Sequence, residues 1–371
     1  MQTELIELLS AAPGTRQTLQ VMRFGTPGAS PKVYIQAALH ADEVPGILVA
    51  HQLARQLAAL EAQGQITGEL ILVPFANPIG LAQQVQGVHH GRFDLRDGGN
   101  FNRGYANLAT GLVWSLRAGL TQDAAQNTRL IRSALIKAAA GLLAANPTQD
   151  LKNQLLRLAV DADIVLDLHC DSEAVMHVYA LTPQAPMAEA LGAALGARAL
   201  LLATESGDLP FDEACTRPWY QLQQAMPEFP IELACFGSTV ELRGEADTHH
   251  ALALQDASGL CDFLAHSGAL TRTGKALPAP LCSPTPLSGS EPITAPGAGV
   301  IVFKRNPGDV VVAGDVIADL VDAATGTITD LRCKSAGVLY ARCSSRWAHP
   351  GKRLAKIAGT SLARTGKLLS P

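Results

Sequence analysis

Apolar runs and helical segments alternate along the first two thirds of the chain. Runs rich in β-branched residues, which predict buried strands, occupy 32–39, 68–77, 162–169, 176–181, 197–204 and 238–243. Apolar residues three and four positions apart predict helices over 44–63 and roughly over 123–145, 147–161, 186–196 and 247–266. Apolar strands that alternate with helices are typical of a sheet covered on both faces. We therefore predict an α/β fold with a mixed, mostly parallel central sheet flanked by helices.

The pattern changes after about residue 267. The segment 267–292 is rich in Pro, Ser and Gly, which indicates a boundary. Short β-like runs between glycine turns follow, without a helical period, and they predict a small all-β module over about 285–371. A length of 371 residues also favours more than one core. We expect two domains, a catalytic domain over 1–270 and a β-rich domain over 271–371.

Composition excludes several classes of protein. Hydrophobic residues make up 47% of the chain and charged residues 17%, as in a well-buried globular protein. The net charge of −4 offers no basic face for nucleic acid or an anionic membrane. No signal peptide and no apolar stretch of about 20 residues is visible. The seven cysteines are scattered, odd in number and without a CxxC pair, so we expect reduced thiols and a cytoplasmic protein.

Candidate metal ligands follow two of the predicted strands. His40 and Glu43 come just after one apolar run, and His169 ends another. Open α/β sheets bind ligands at the carboxyl ends of strands, and two imidazoles with one carboxylate suit catalytic zinc. Asp167 and Asp171 flank His169, and either could accept the second N–H of a ligand histidine. The alternatives are an exposed turn at Glu43 and strand-end capping by the aspartates.

Glu241 lies within an apolar strand, between Val240 and Leu242. A buried carboxylate is costly unless it is paired or used in chemistry. One interpretation is a general base that takes a proton from water. The other is an ion pair with Arg243, because residues two apart in a strand share a face.

A polar loop between the two ligand strands carries Arg92, Arg96, Asn100, Asn102 and Arg103. Arginine can bind a carboxylate through two hydrogen bonds and can polarise a carbonyl group. The alternative is a solvated basic loop without a ligand.

Taken in order, these motifs resemble the zinc carboxypeptidase superfamily and, more closely, the succinylglutamate desuccinylase/aspartoacylase family. The resemblance covers roughly residues 30–266. It depends on LHADEVPG (39–46), NPIG (77–80), DGGNFNR (97–103), DLHCD (167–171) and VELRGE (240–245). The separation of Glu43 and His169 is also similar to that in the superfamily.

The resemblance implies roles for individual residues. His40, Glu43 and His169 match the ligands of one zinc ion per chain, and Glu241 matches the general base. Asn102 and Arg103 match the pair that holds the substrate carboxylate, whereas Arg92 and Arg96 are equal candidates for the arginine that polarises the scissile carbonyl. Asn100 stands where relatives often have an acidic residue. The tyrosine that contacts substrate in the family has three candidates here: Tyr105, Tyr179 and Tyr220.

The function implied is zinc-dependent hydrolysis of an amide bond in a small carboxylate-bearing molecule, as in N-acyl-amino-acid deacylation. Two alternatives remain: a carboxypeptidase for small peptides, and a non-catalytic zinc protein on the same fold. The C-terminal module resembles the barrel-sandwich hybrid of biotinyl and lipoyl carriers. Its corresponding turn, 322–327, contains no lysine, so we expect it to shape the active-site mouth or to form a homo-oligomer contact.

Overall fold

The computed structural model describes residues 1–271, 276–361 and 363–369. Its strands are β1 (Gln2–Glu7), β2 (Thr18–Gly25), β3 (Lys32–Ala37), β4 (Glu69–Val73), β5 (Gln84–Val85), β6 (Val88–His89), β7 (Ile164–Asp171), β8 (Glu173–Ala174), β9 (His177–Leu181), β10 (Ala199–Ala203), β11 (Phe236–Gly244), β12 (Pro284–Pro286), β13 (Glu291–Thr294), β14 (Gly299–Phe303), β15 (Val310–Val311), β16 (Val316–Asp322), β17 (Thr327–Arg332), β18 (Gly337–Arg342), β19 (Trp347–Ala348) and β20 (Arg353–Ala358). Its helices are α1 (Pro45–Ala62), α2 (Pro78–Leu81), α3 (Leu112–Arg117), α4 (Ala124–Ala140), α5 (Pro147–Ala159), α6 (Ala185–Leu195), α7 (Phe211–Ala225) and α8 (His250–His266), with 3-10 turns at Thr182–Gln184 and Leu287–Gly289.

Nine strands form the central sheet in the order β1-β2-β4-β3-β7-β11-β9-β10-β12. The pairs β4–β3, β3–β7, β7–β11, β9–β10 and β10–β12 are parallel. The pairs β1–β2, β2–β4 and β11–β9 are antiparallel. The predicted mixed, mostly parallel sheet is therefore confirmed.

Helices bury both faces of this sheet, which explains the continuous apolar runs in its strands. On one face, α1, α6 and α8 pack through residues such as Leu53, Leu191 and Phe263. On the other face, α4, α5 and α7 pack through residues such as Ile131, Leu155 and Trp219. The central strands β3 and β7 contribute side chains to both cores, so packing on both faces of the sheet fixes the position of their carboxyl ends.

The C-terminal part contains two antiparallel sheets around a third core, with the strand orders β13-β20-β18-β15 and β17-β16-β14-β19. It contacts the central sheet closely. β12 pairs with β10, and β8 pairs with β18. The domain division at 270/271 stays a prediction; residues 272–275 of the predicted boundary segment lie outside the described residues.

Two further expectations concern the chain as a whole. Within the part of the chain that the structure describes, no helix is long and apolar enough to cross a membrane. All seven cysteines are free thiols, as their scattered positions predicted.

Candidate active site

The two segments that carry His40 and His169 come together because β3 and β7 are parallel neighbours. Ala38, just after β3, has a φ of 59°, in the left-handed region, and it turns the chain out of the sheet toward His40. The helix α1 then starts directly against β7. Gly46 permits this contact, since a Cβ atom there would lie 3.1 Å from the carbonyl oxygen of Leu168.

Glu43 lies between the two imidazoles. Its Oε1 is 2.9 Å from Nδ1 of His40, and its Oε2 is 2.6 Å from Nδ1 of His169. All three residues are buried, and their ligand atoms lie within 4.8 Å of one another. The structure thus brings the three predicted ligands together as a group that could hold a metal ion.

The second nitrogen of each imidazole also faces an oxygen atom. Nε2 of His40 lies 2.9 Å from Oδ1 of Asn100, and Nε2 of His169 lies 2.9 Å from Oδ2 of Asp167. The other Asp167 oxygen accepts a hydrogen bond from Gln36 at 3.0 Å. Outer partners of this kind fix a ring so that its other nitrogen, here Nδ1, faces a metal. Asn100 is thus the outer partner of His40, and Asp167 that of His169.

The ionisation of the cluster is uneven. Burial, followed by the charge of Arg92, lowers the pKa of His40 to about 4. Burial also opposes the charged form of His169, but Asp167 and Glu43 outweigh it and raise the pKa of that ring well above its ordinary value. The pKa of Glu43 is held well below its usual range despite burial, because both imidazoles stabilise its charge. Glu43 is therefore ionised between the two imidazoles.

Glu241 lies on β11, the strand next to β7. It is directly opposite His169 in the β7–β11 pairing and lines the same cavity. Its Oε2 is buried and has no hydrogen-bond partner among the described residues. Burial, followed by the charge of Glu43, raises the pKa of Glu241 to about 8. Among the described residues, Oε2 of Glu241 thus lies beside the cluster without a hydrogen-bond partner.

The alternative ion pair between Glu241 and Arg243 is not formed. The pairing of β11 shifts register between Glu241 and Gly244, and Arg243 has a φ of 66°. A bulge of this kind breaks the alternation of side chains in a strand. Arg243 instead binds Asp256 of α8 through Nη1 at 3.1 Å and Nη2 at 2.5 Å.

Arg92 and Arg96 occupy different environments. Nη1 of Arg92 is 3.0 Å from both Oε1 of Glu43 and Nδ1 of His40, and the residue lines the cavity. Arg96 instead binds Asp94, with Nη2 2.7 Å from Oδ2, and donates to Thr148 at 2.9 Å. The structure therefore brings Arg92, and not Arg96, to the cluster.

We expect alanine substitutions of the two arginines to separate their roles. Arg92→Ala should lower kcat by about tenfold to a hundredfold at unchanged stability, because it removes a cation from the reacting centre. Arg96→Ala should lower the melting temperature and leave kcat within about twofold, because it frees the buried Asp94. Steady-state kinetics and thermal unfolding check both. A larger loss of kcat in Arg96→Ala would contradict this assignment.

Asn102 and Arg103 also line the cavity. Asn102 accepts a hydrogen bond from the backbone N–H of Phe211 at 2.8 Å, and its amide nitrogen is 3.2 Å from Nε2 of His169. Arg103 donates to the Asn102 carbonyl at 2.7 Å. Burial, followed by repulsion from Arg92, lowers the pKa of Arg103. Arg103 thus brings a second guanidinium group into the cavity, beside that of Arg92.

Of the three candidate tyrosines, Tyr179 lies in the cavity wall. Tyr105 is buried in a core, where its ring packs edge-on against Phe211 at 5.4 Å. Tyr220 is half-buried on α7 and is not part of the wall.

The cavity has a volume of about 400 Å³ and includes residues that the sequence did not indicate. Lys356 of β20 reaches into it and forms an ion pair with Asp171. Arg342 of β18 binds Glu173 with Nε 2.6 Å from Oε2. The C-terminal module thus forms one wall of the cavity that holds the cluster. No local pattern marks these residues, because their partners are far away along the chain.

The family model of the succinylglutamate desuccinylase/aspartoacylase catalytic domain matches residues 29–267. The chain belongs to this family. It is a family of hydrolases, and the matched range contains every predicted site residue. No curated protein matches the chain.

Two solved structures resemble this chain over almost its full length. A succinylglutamate desuccinylase/aspartoacylase family protein from Shewanella amazonensis is 27% identical, with a TM-score of 0.83, over 96% of this chain and 98% of the other. A succinylglutamate desuccinylase/aspartoacylase from Shewanella frigidimarina is 25% identical, with a TM-score of 0.85, over 97% of each chain. The ectoine utilization protein of Ruegeria pomeroyi, solved with product bound, is 18% identical with a TM-score of 0.67, over 97% of this chain and 95% of that protein, and shares the fold.

Proposed function

We propose that this protein hydrolyses an amide bond in a small carboxylate-bearing substrate with one zinc ion per chain, as an N-acyl-amino-acid deacylase. The observation that carries the proposal is the convergence of His40, Glu43 and His169 beside the unpartnered carboxylate of Glu241. Arg103 lines the same cavity. These are the parts that metal-assisted hydrolysis of such a substrate requires.

The donor set fits zinc. Two imidazole nitrogens and a carboxylate are the ligands of a catalytic site with an open position, and both rings have an outer oxygen partner. When bound, zinc supplies a Lewis acid for a carbonyl oxygen and lowers the pKa of water. The remaining steps belong to the side chains around it.

Glu241 acts as general base and then as general acid. The charge of a metal ion bound at the neighbouring cluster would lower the pKa of Glu241 from about 8 and favour its ionised form. Its Oε2 then accepts a proton from the attacking water and later delivers that proton to the leaving amine. Arg92 stabilises the negative charge that develops on the carbonyl oxygen. Its contact with Glu43, one of the proposed ligands, supports this role.

Arg103 and Asn102 orient the substrate. The guanidinium of Arg103 binds the substrate carboxylate through charge-assisted hydrogen bonds, and Asn102 holds the loop against α7. A fixed carboxylate presents the amide carbon to the attacking water in one orientation, which lowers the entropic cost of the reaction.

A panel of substrates tests this function. We expect the zinc-loaded protein to hydrolyse N-acyl amino acids faster than small peptides, because a cavity of about 400 Å³ limits substrate size. Arg103→Lys should lower kcat/KM by about tenfold to a hundredfold on these acids, since it keeps the charge and loses the planar fork. Its kcat/KM on the matching amino-acid amides should change little.

Amine release and zinc content are measured together in that panel. Faster turnover of peptides than of N-acyl amino acids would favour a carboxypeptidase. No turnover of either class by protein with a full zinc content would favour a binding protein. Equal losses on acids and amides in Arg103→Lys would mean that the arginine supports the loop and not the substrate.

A further inference from the structure

The cavity changes character with distance from the metal-ligand cluster. Its wall on β9, β10 and the C-terminal module is mainly apolar and includes Tyr179, Leu181, Leu201, Ala203, Leu287 and Leu354. In the strand order β7-β11-β9-β10, β10 is three neighbours away from the strand that carries His169. At about 4.8 Å per strand, the apolar wall extends to about 14 Å from that strand.

One side of this apolar wall is closed by residues 363–369, which we call the C-terminal strap. Lys367 binds Asp208 with 2.7 Å between Nζ and Oδ2, and the backbone N–H of Leu368 donates to the carbonyl of Ser206 at 2.8 Å. Leu368 is buried in the core that contains Tyr179, Leu201 and Leu287. The strap is therefore packed against the sheet and anchored by polar contacts.

Leu369 packs against the same core and lines the cavity. Two cations of the neighbouring module, Lys356 and Arg342, form ion pairs with Asp171 and Glu173, and Arg353 also lines the cavity. The apolar wall therefore adjoins several cations, most of them in ion pairs, and Arg103 adds a guanidinium to the same cavity. A substrate that contacts both the apolar wall and Arg103 has one apolar group and one carboxylate.

We propose that the apolar wall binds an aliphatic acyl group of several methylenes and that Leu369 of the C-terminal strap limits its length. The inference rests on the proposed function, since it places the amide carbon of the substrate at the metal-ligand cluster. It assigns the acyl group to β9, β10 and the strap, and the amino-acid carboxylate to Arg103. Each methylene buried against this wall should tighten binding about fourfold.

Binding of product-like acids tests the wall without any need for hydrolysis. Acetate, butanoate, hexanoate, octanoate and succinate are titrated into zinc-loaded protein by calorimetry. We expect affinity to rise with each methylene through butanoate and hexanoate and to exceed that of succinate. Affinity that is flat along the series, or highest for succinate, would overturn the proposal.

Variants of the strap test the length limit. Leu369→Ala should improve binding of octanoate relative to acetate by about tenfold, and Leu369→Trp should weaken octanoate by a similar factor with acetate unchanged. Lys367→Glu breaks the ion pair that anchors the strap, so it should also improve binding of octanoate relative to acetate. Adding Asp208→Lys reverses the ion pair and should restore the affinities of the parent. Leu143→Ala, at an exposed leucine outside the cavity, is the matched control. Circular dichroism and thermal unfolding confirm folding.

The outcomes separate this inference from the proposed function. Chain-length-dependent binding that responds to Leu369, without amide hydrolysis, would support the wall and reject the deacylase. Hydrolysis of N-acetyl or N-succinyl amino acids with no gain from longer chains, and no response to Leu369, would reject the wall and leave the deacylase intact.

Discussion

Glu241→Gln should reduce kcat by roughly 10²–10⁴-fold while the protein keeps its metal ion. The substitution keeps the size of the side chain and removes the proton acceptor. Because the Oε2 of Glu241 has no structural partner among the described residues, the change should cost little stability. Rapid-quench kinetics, zinc content and thermal unfolding of the same preparation check the three expectations.

Glu245→Gln is the matched control for this variant. Glu245 also lines the cavity, four residues further along, but it is exposed at the end of β11. We expect kcat within about threefold of the parent, because an exposed charge is largely screened by solvent. If Glu241→Gln lost zinc together with activity, Glu241 would be a ligand and not the base.

The strands that position the site could be predicted from local pattern. The runs at 32–39 and 162–169 correspond to β3 and β7, and the carboxyl ends of parallel neighbours must lie at one edge. His40, just after the first run, and His169, the last residue of the second, were therefore identified together. The bounds of α1, α5, α6 and α8 lie within a few residues of their predicted limits.

Elements with conflicting local signals were not predicted. The helix α7 contains Pro218, which removes a backbone donor and normally ends a helix. β1 is exposed along most of its length and has no apolar run, although it pairs with β2 at the sheet edge. The first residue of α7 donates its backbone N–H to Asn102. Because the sequence did not predict α7, it also did not show what holds the loop that carries Asn102.

The choice between Arg92 and Arg96 could not be made from sequence, because both precede the same motif. In the structure their ion-pair partners differ: Arg96 binds Asp94, and Arg92 contacts Glu43. The wall from the C-terminal module was missed for the same reason. Lys356 and Asp171 are 185 residues apart, and no period along the chain connects them.

The other large effect is expected on the metal itself. Purified protein should hold about one zinc ion per chain, and His169→Ala should lose most of it together with catalytic activity. The substitution removes the ring that contacts both Glu43 and Asp167, so each of these carboxylates loses one of its partners. Zinc content by atomic spectroscopy and affinity by chelator competition measure the loss.

Two control variants make the metal experiment specific. Asn100→Ala removes the oxygen beside Nε2 of His40, which also accepts a hydrogen bond from the backbone N–H of Asn102 at 2.7 Å. The three ligands stay in place, so the variant should weaken zinc binding by about tenfold to a hundredfold. His51→Ala, at an exposed histidine on α1, should bind zinc as the parent does. We therefore expect the affinities to fall from the parent through Asn100→Ala to His169→Ala. If folded His169→Ala bound zinc with the affinity of the parent, the ion would lie elsewhere. The roles derived for Glu43, Glu241 and Arg92 would then no longer belong to one metal site.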